Sequence, residues 1–254
     1  MNIIEKIQVK IEENSDIPFE IRYSLKNNLY DIDFISQESA MPVCDVFFDY
    51  INQSEVTEYI GSLNLYSEDE GINGTNNWDL AKLGGKPKNI FKNLKKLVFP
   101  LNTTNHNRVI ITGNDDYEEN GIIGQVMKKM PVLEYLQLPS APSNNFFEQK
   151  LSIIHLKIQT GFAHQNFIEN LAKTSVFEHL ETLEFWDYSE FYMENYEQYC
   201  TPLEAYIQLF GSTHLPKLKK VILHNTLLSK EIQQKLESLP LYLQLEIFLV
   251  INKS

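Results

Sequence analysis

Leu180-Glu181-Thr182-Leu183-Glu184-Phe185 reads apolar-x-x-apolar-x-apolar, and the same spacing recurs along most of the chain. It returns at Ile60-Leu63-Leu65, Leu94-Leu97-Phe99, Leu133-Leu136-Leu138, Ile153-Leu156-Ile158 and Leu218-Val221-Leu223. A short unit recurring at intervals of tens of residues predicts a stack of structural repeats, because one unit cannot bury its apolar face alone. The last two apolar residues of each copy alternate, so on a strand both point into a core while their neighbours point to the opposite face. The successive central residues Leu63, Leu97, Leu136, Leu156, Leu183 and Val221 are 34, 39, 20, 27 and 38 positions apart. The repeat is therefore irregular.

The intervals carry helical signals. Thr201-Pro202-Leu203-Glu204 has the form of a capping box with Pro at the first helical position, and Leu203, Tyr206, Ile207 and Phe210 follow at helical spacing before Gly211. Ile122, Ile123, Val126, Met127 and Met130 form an apolar face that ends at Pro131, and Phe167, Ile168, Leu171 and Ala172 form another. Ser229 is placed to cap a helix presenting Ile232, Leu236 and Leu239 inward. Leu243 to Val250 alternates as a closing strand, with Leu243, Leu245, Ile247 and Leu249 on one face and Gln244, Glu246 and Phe248 on the other. Near the start, Ile7 to Ile11 alternates like a strand, and Val43, Val46, Phe47, Tyr50 and Ile51 read as a helix behind Pro42. The polar stretch from Gly71 to Lys88 reads as a surface excursion. The expected organisation is one domain over 1–254, with an N-terminal cap region at 1–55, repeats at 56–240 and a capping strand at 241–254.

Two segments carry a family likeness: His179-Leu180-Glu181-Thr182-Leu183-Glu184-Phe185-Trp186 and Leu215-Pro216-Lys217-Leu218-Lys219-Lys220-Val221-Ile222-Leu223-His224-Asn225. With the acidic insert and Pro202 to Gly211 between them, they resemble the bacterial leucine-rich-repeat proteins of ribonuclease-inhibitor-like fold, within a group that has degenerate repeats. The likeness extends from Ile60 to Ile251. It implies an α/β leucine-rich-repeat solenoid, a horseshoe with parallel strands on its concave face and helices on its convex face. It also implies a protein-binding scaffold without cofactor or catalytic residues. The irregular period departs from the ribonuclease-inhibitor pattern and leaves the curvature open.

Charge narrows the partner. The chain has 22 Lys plus Arg against 34 Asp plus Glu, a net of −12, which opposes attachment to nucleic acid or anionic lipid. A protein partner is expected, a basic one in particular, although an acidic solvated surface accounts for the same balance. Met1 to Lys6 lacks the apolar core of a signal peptide, and no run approaches the roughly 18 apolar residues of a spanning helix. Cys44 and Cys200 lack CxxC spacing and read as reduced thiols. The expectation is a cytoplasmic monomer.

If the non-core positions of the strands line a concave face, Tyr66, Tyr135 and Trp186 are its aromatic anchors, with Glu184 beside Trp186. Packing on neighbouring strands is the competing role for Tyr135 and Trp186. A second candidate is the insert after Phe185, where Asp187, Tyr188, Glu190 and Tyr192 mix carboxylates with rings suited to holding cationic side chains. A buried stripe of Tyr192, Tyr196 and Tyr199 would be the structural alternative. Such a scaffold would serve as a non-catalytic protein–protein interaction module, or in a sharper form as an immunity protein or inhibitor that neutralises a basic toxin or nuclease.

Catalytic patterns are weak. Gly84-Gly85-Lys86-Pro87 superficially matches a phosphate loop, but Leu80 stands where the first Gly belongs and Pro87 where the Ser or Thr would bind magnesium. Six scattered His and two distant Cys give no metal-ligand spacing, so neither metal nor cofactor is expected. An enzyme on a repeat scaffold is the competing class.

Overall fold

A computed structural model describes residues 2–36, 42–67, 74–85, 88–102, 107–113, 118–188 and 194–252. Its strands are β1 (Phe19–Lys26), β2 (Leu29–Ser36), β3 (Ile60–Ser67), β4 (Gly74–Asp79), β5 (Lys96–Val98), β6 (Asn107–Thr112), β7 (Tyr135–Leu138), β8 (His155–Gln159), β9 (Thr182–Trp186), β10 (Lys220–His224) and β11 (Ile247–Ile251). Nine of them form one sheet in the order β1-β2-β3-β5-β7-β8-β9-β10-β11, so each new strand is laid beside the last. Only β1 and β2 are antiparallel; every later pairing in this sheet is parallel. The fold is α/β with a large, mostly parallel sheet.

Register explains the six triplets. Leu63, Leu97, Leu136, Leu156, Leu183 and Val221 stand side by side across the sheet. All members of the triplets are at most 1% exposed and belong to one hydrophobic core, shared with helical residues such as Phe47, Val126, Leu171 and Leu209. Parallel strands cannot be joined by tight turns, so each interval must return the chain across the sheet. A repeated backbone contact sets the entry to each strand. The carbonyl of Lys95 accepts from both Glu134 and Tyr135 N–H, that of Ile154 from Glu181 and Thr182, and that of Glu181 from Lys219 and Lys220.

Several helices fall close to their signals. Ser229 accepts from Ile232 N–H at 3.3 Å and caps the helix Lys230–Leu236. The helices Ile122–Met127 and Phe167–Lys173 bury the expected faces, whereas Leu203–Gly211 buries Tyr206 and Phe210 with Ala205 and Leu209 and leaves Ile207 41% exposed. The capping box at Thr201 does not form, because the Thr201 hydroxyl donates to Asp187 instead.

Three further expectations are corrected. Ile7 to Ile11 lies in the helix Ile3–Glu12, where Ile4, Ile7 and Ile11 form a buried stripe and Asn2 with Glu5 forms the capping box. The N-terminal region also supplies the hairpin β1–β2, turned by Asn27 and Asn28 at φ 53° and 63°. These left-handed values are ones Asn tolerates better than most residues, and two of them in succession match the type I′ turns favoured in hairpins. In the stretch at 71–88, of which 71–73 and 86–87 lie outside the described residues, the part at 74–85 is not merely a surface excursion. Strand β4 pairs in parallel with β6 in a second, two-stranded sheet, and Trp78, Leu80 and Leu83 are buried. Finally, the closing strand takes the opposite phase. Phe248 pairs with Val221 and Val250 with Leu223, so Phe248 and Val250 pack on the core. Ile247, Leu249 and Ile251 are left 42%, 46% and 48% exposed, and Leu243 lies in the helix Pro240–Gln244.

Candidate functional site

The face of the sheet opposite the core is read directly from the pairing. One row runs Ser62, Lys96, Tyr135, His155, Thr182, Lys220 and Ile247. The next holds Gln137, Lys157, Glu184, Ile222 and Leu249, and the third holds Gln159, Trp186, His224 and Ile251. Tyr135 and Trp186 are two strands apart and four residues apart along the strand direction, so spacings of about 4.8 Å and 3.3 Å separate them by about 16 Å, and β3, which carries Tyr66, lies about 19 Å from β9. Tyr66 is 43% exposed at the end of its strand; burial and the nearby Asp33 push its hydroxyl above its ordinary value.

Between Tyr135 and Trp186 the side chains form a continuous polar chain. Glu184 holds Lys157 Nζ at 2.9 Å through one oxygen and His224 Nε2 at 3.0 Å through the other. Burial disfavours the Glu184 carboxylate, but the hydrogen bonds from Lys157 and His224 outweigh it and hold the group below its ordinary value. Burial lowers Lys157, but the hydrogen bond and charge of Glu184, with a smaller contribution from Tyr135, together outweigh it and raise the group. The His224 ring lies flat on Trp186, with centroids 4.2 Å apart and planes 3° from parallel. At the other end, Lys96 Nζ sits 5.7 Å from the Tyr135 ring centroid, a cation–π distance. Trp186 and Tyr135 are thus half-buried and fixed by neighbours on the same face.

The network has a pH signature. A carboxyl held low in the folded state contributes stability above its unfolded pKa and loses it as pH falls through the folded one. Glu184→Gln is expected to cost about 1 kcal/mol at neutral pH, a partly buried ionic hydrogen bond discounted for its remaining solvent contact. The difference from wild type should vanish in acid, as urea titrations across that range would show. A difference independent of pH would mean that Glu184 acts by shape alone.

The acidic insert is placed differently from the sheet residues. Asp187 is 3% exposed, and its carboxylate accepts from Tyr188 N–H, Thr201 N–H, the Thr201 hydroxyl and the Tyr206 hydroxyl. Burial pushes it above its ordinary value despite those bonds. Tyr188 is 5% exposed, with its ring 5.6 Å from that of Tyr199. Both side chains are therefore turned inward, while Glu190 and Tyr192 lie outside the described residues. Cys200, buried beside Tyr188, is pushed up to about 12 by burial and the nearby Asp187.

Lys157 and His224 are among the outward strand positions that the sequence predicts to line the face, but they are not among its expected anchors, and the exposed side of β11 is not foreseen. Their signal lies in register, since only the pairing of β8, β9, β10 and β11 brings them into adjoining rows. Elsewhere a cleft of about 530 Å³ is lined by Glu118, Glu119, Gly121, Asn145 and Gln165 among others. Glu119 is occupied there, accepting from the backbone N–H groups of Gly121, Ile123 and Ser143. Among the described residues no group of three or more His, Cys, Asp or Glu is placed to hold a metal ion, and no helix is long and apolar enough to cross a membrane.

No known family model matches the chain, and no curated protein matches it. Among solved structures, a crystal structure of a Bacteroides fragilis protein is similar at 14% identity and a TM-score of 0.48. The match covers 79% of this chain and 53% of that one, so the chain spans about half the length of its structural neighbour.

Proposed function

We propose that the chain is a non-catalytic binding module, a leucine-rich-repeat solenoid whose sheet face holds a protein partner. One observation carries the reading: Tyr135, Lys157, Glu184, Trp186 and His224 are held in one cross-strand network on the face opposite the core. Rings fixed before binding lose little conformational entropy on contact, which is how aromatic anchors contribute most of the affinity of a small interface. The irregular repeats support the solenoid part, since the sheet grows in chain order while the intervals differ in what they insert.

The test is cross-linking capture from the native lysate with wild type, Tyr135→Ala/Trp186→Ala, and Lys230→Ala/Glu231→Ala as a control on an exposed helix. One protein at fixed stoichiometry is expected on wild type and control and should fall at least about tenfold on the face variant, as loss of two anchors at about 1 kcal/mol or more each would give. A partner retained by the face variant with unchanged circular dichroism would place binding elsewhere and overturn the proposal.

A further inference from the structure

Resting on that reading, we infer that the face recognises an acidic, extended segment of its partner, lying across the strands from β5 to β11. The chain as a whole carries −12, yet the outward positions of β5, β7, β8, β9 and β10 hold three lysines, Lys96, Lys157 and Lys220, against the one carboxylate of Glu184. The part of the face from β5 to β10 is thus +2 on a strongly negative protein, while Asp31 and Asp33 continue its rows on β2. Lys157 is committed to Glu184, whereas Lys96 and Lys220 make no ion pair among the described residues. The acids at the foot of the same strands are already matched, Glu134 by Lys95 at 2.7 Å and Glu181 by Lys219 at 3.8 Å.

Geometry sets the length of the segment. Lys96 and Lys220 lie in one row with Tyr135, His155 and Thr182 between them. Four strand intervals of about 4.8 Å separate them by about 19 Å, which an extended peptide spans in about six residues. Beyond Lys220 the face turns apolar: Ile247 continues the row, and Leu249 and Ile251 lie exposed beside Ile222 and His224. The matching ligand has two carboxylates about six residues apart, followed by aliphatic side chains. A nucleic acid fits less well, because its charge continues past the lysines onto a surface that is negative overall, where the counterion gain on which such binding rests is small.

Selection of displayed random peptides on the intact protein tests this, with Lys96→Glu/Lys220→Glu and Tyr135→Ala/Trp186→Ala as comparison baits. Both lysines are on the surface, and unchanged circular dichroism would verify folding. The expected result is enrichment of peptides with Asp or Glu at two positions ahead of an aliphatic end. They should bind the charge-reversed protein at least about tenfold more weakly, and wild type more weakly as salt rises. Enriched peptides that are neutral or basic but still need Tyr135 and Trp186 would overturn the acidic segment and leave the binding face standing. Enrichment indifferent to both variants, or none, would overturn both. Displacement of the acidic peptides by a single-stranded oligonucleotide at lower concentration would reassign the lysines to nucleic acid.

Discussion

Asp187→Ala is expected to destabilise the protein by about 3 kcal/mol or more at neutral pH. The substitution leaves Tyr188 N–H, Thr201 N–H, the Thr201 hydroxyl and the Tyr206 hydroxyl without their acceptor in a site that is 3% exposed. Each buried donor left unsatisfied costs about 1–3 kcal/mol, and part of that sum is offset because the carboxylate was itself costly to bury. Asp187→Asn should cost about 1 kcal/mol, since its oxygen keeps the Thr201 contacts and the Tyr206 hydroxyl can turn from donor to acceptor. The pH dependence has a definite sign. Burial raises the folded-state pKa of Asp187, so between the unfolded and folded values the native state holds a proton that the unfolded chain has released. Stability from this group is full below the unfolded pKa and is lost as pH rises through the folded one. The gap between wild type and Asp187→Asn should therefore narrow from acid toward neutral pH. Urea midpoints for the three proteins would decide; a gap that widens toward neutral pH would show that the site favours the charged carboxylate.

Asp187 also marks where sequence reading reached its limit. Next to Trp186 and among acids and tyrosines, it reads as part of a cation-binding loop; the donors from Thr201 and from the Tyr206 hydroxyl, 14 and 19 positions on, reveal a structural role. The triplets were legible because each core position is apolar while most of its neighbours are polar, with Ile154, Val98 and Ile222 as exceptions. The phase of β11 was not, because Ile247-Phe248-Leu249-Val250-Ile251 is apolar throughout and alternation cannot choose a face. Pairing with Val221 and Leu223 chooses it. In the same way Ile7-Gln8-Val9-Lys10-Ile11 satisfies a period of two, but Ile4 and the Asn2–Glu5 cap make the helical period the better fit. Of the site, Tyr135, Glu184 and Trp186 were visible as outward positions of triplet strands. Lys157 and His224 gained meaning only from neighbours 27 and 38 positions distant in sequence, Glu184 and Trp186 respectively.

Trp78→Ala is expected to cost about 3–5 kcal/mol, as large-to-small changes at fully buried aromatic positions do. Trp78 is 0% exposed and edge-on to both Phe48 and Phe99, at 6.2 and 5.5 Å between centroids. Phe48 belongs to the helix Pro42–Ile51 and Phe99 directly follows β5, so this ring ties the small β4–β6 pair to the core behind the main sheet. Truncation would open a cavity and free that pair together, and amide exchange at Asn77, Asp79 and Thr112 should quicken more than in β8 or β9. Trp78→Phe should be far milder, within about 1.5 kcal/mol. It removes an indole N–H that finds no acceptor among the described residues, and relief of that buried donor offsets much of the lost ring volume. Comparable losses for Phe and Ala would mean that the whole indole outline is needed and that its N–H is not a liability. A loss below about 1 kcal/mol for Ala would show that β4 and β6 are not tied to the core through this ring, and the β4 stretch would again read as a surface excursion.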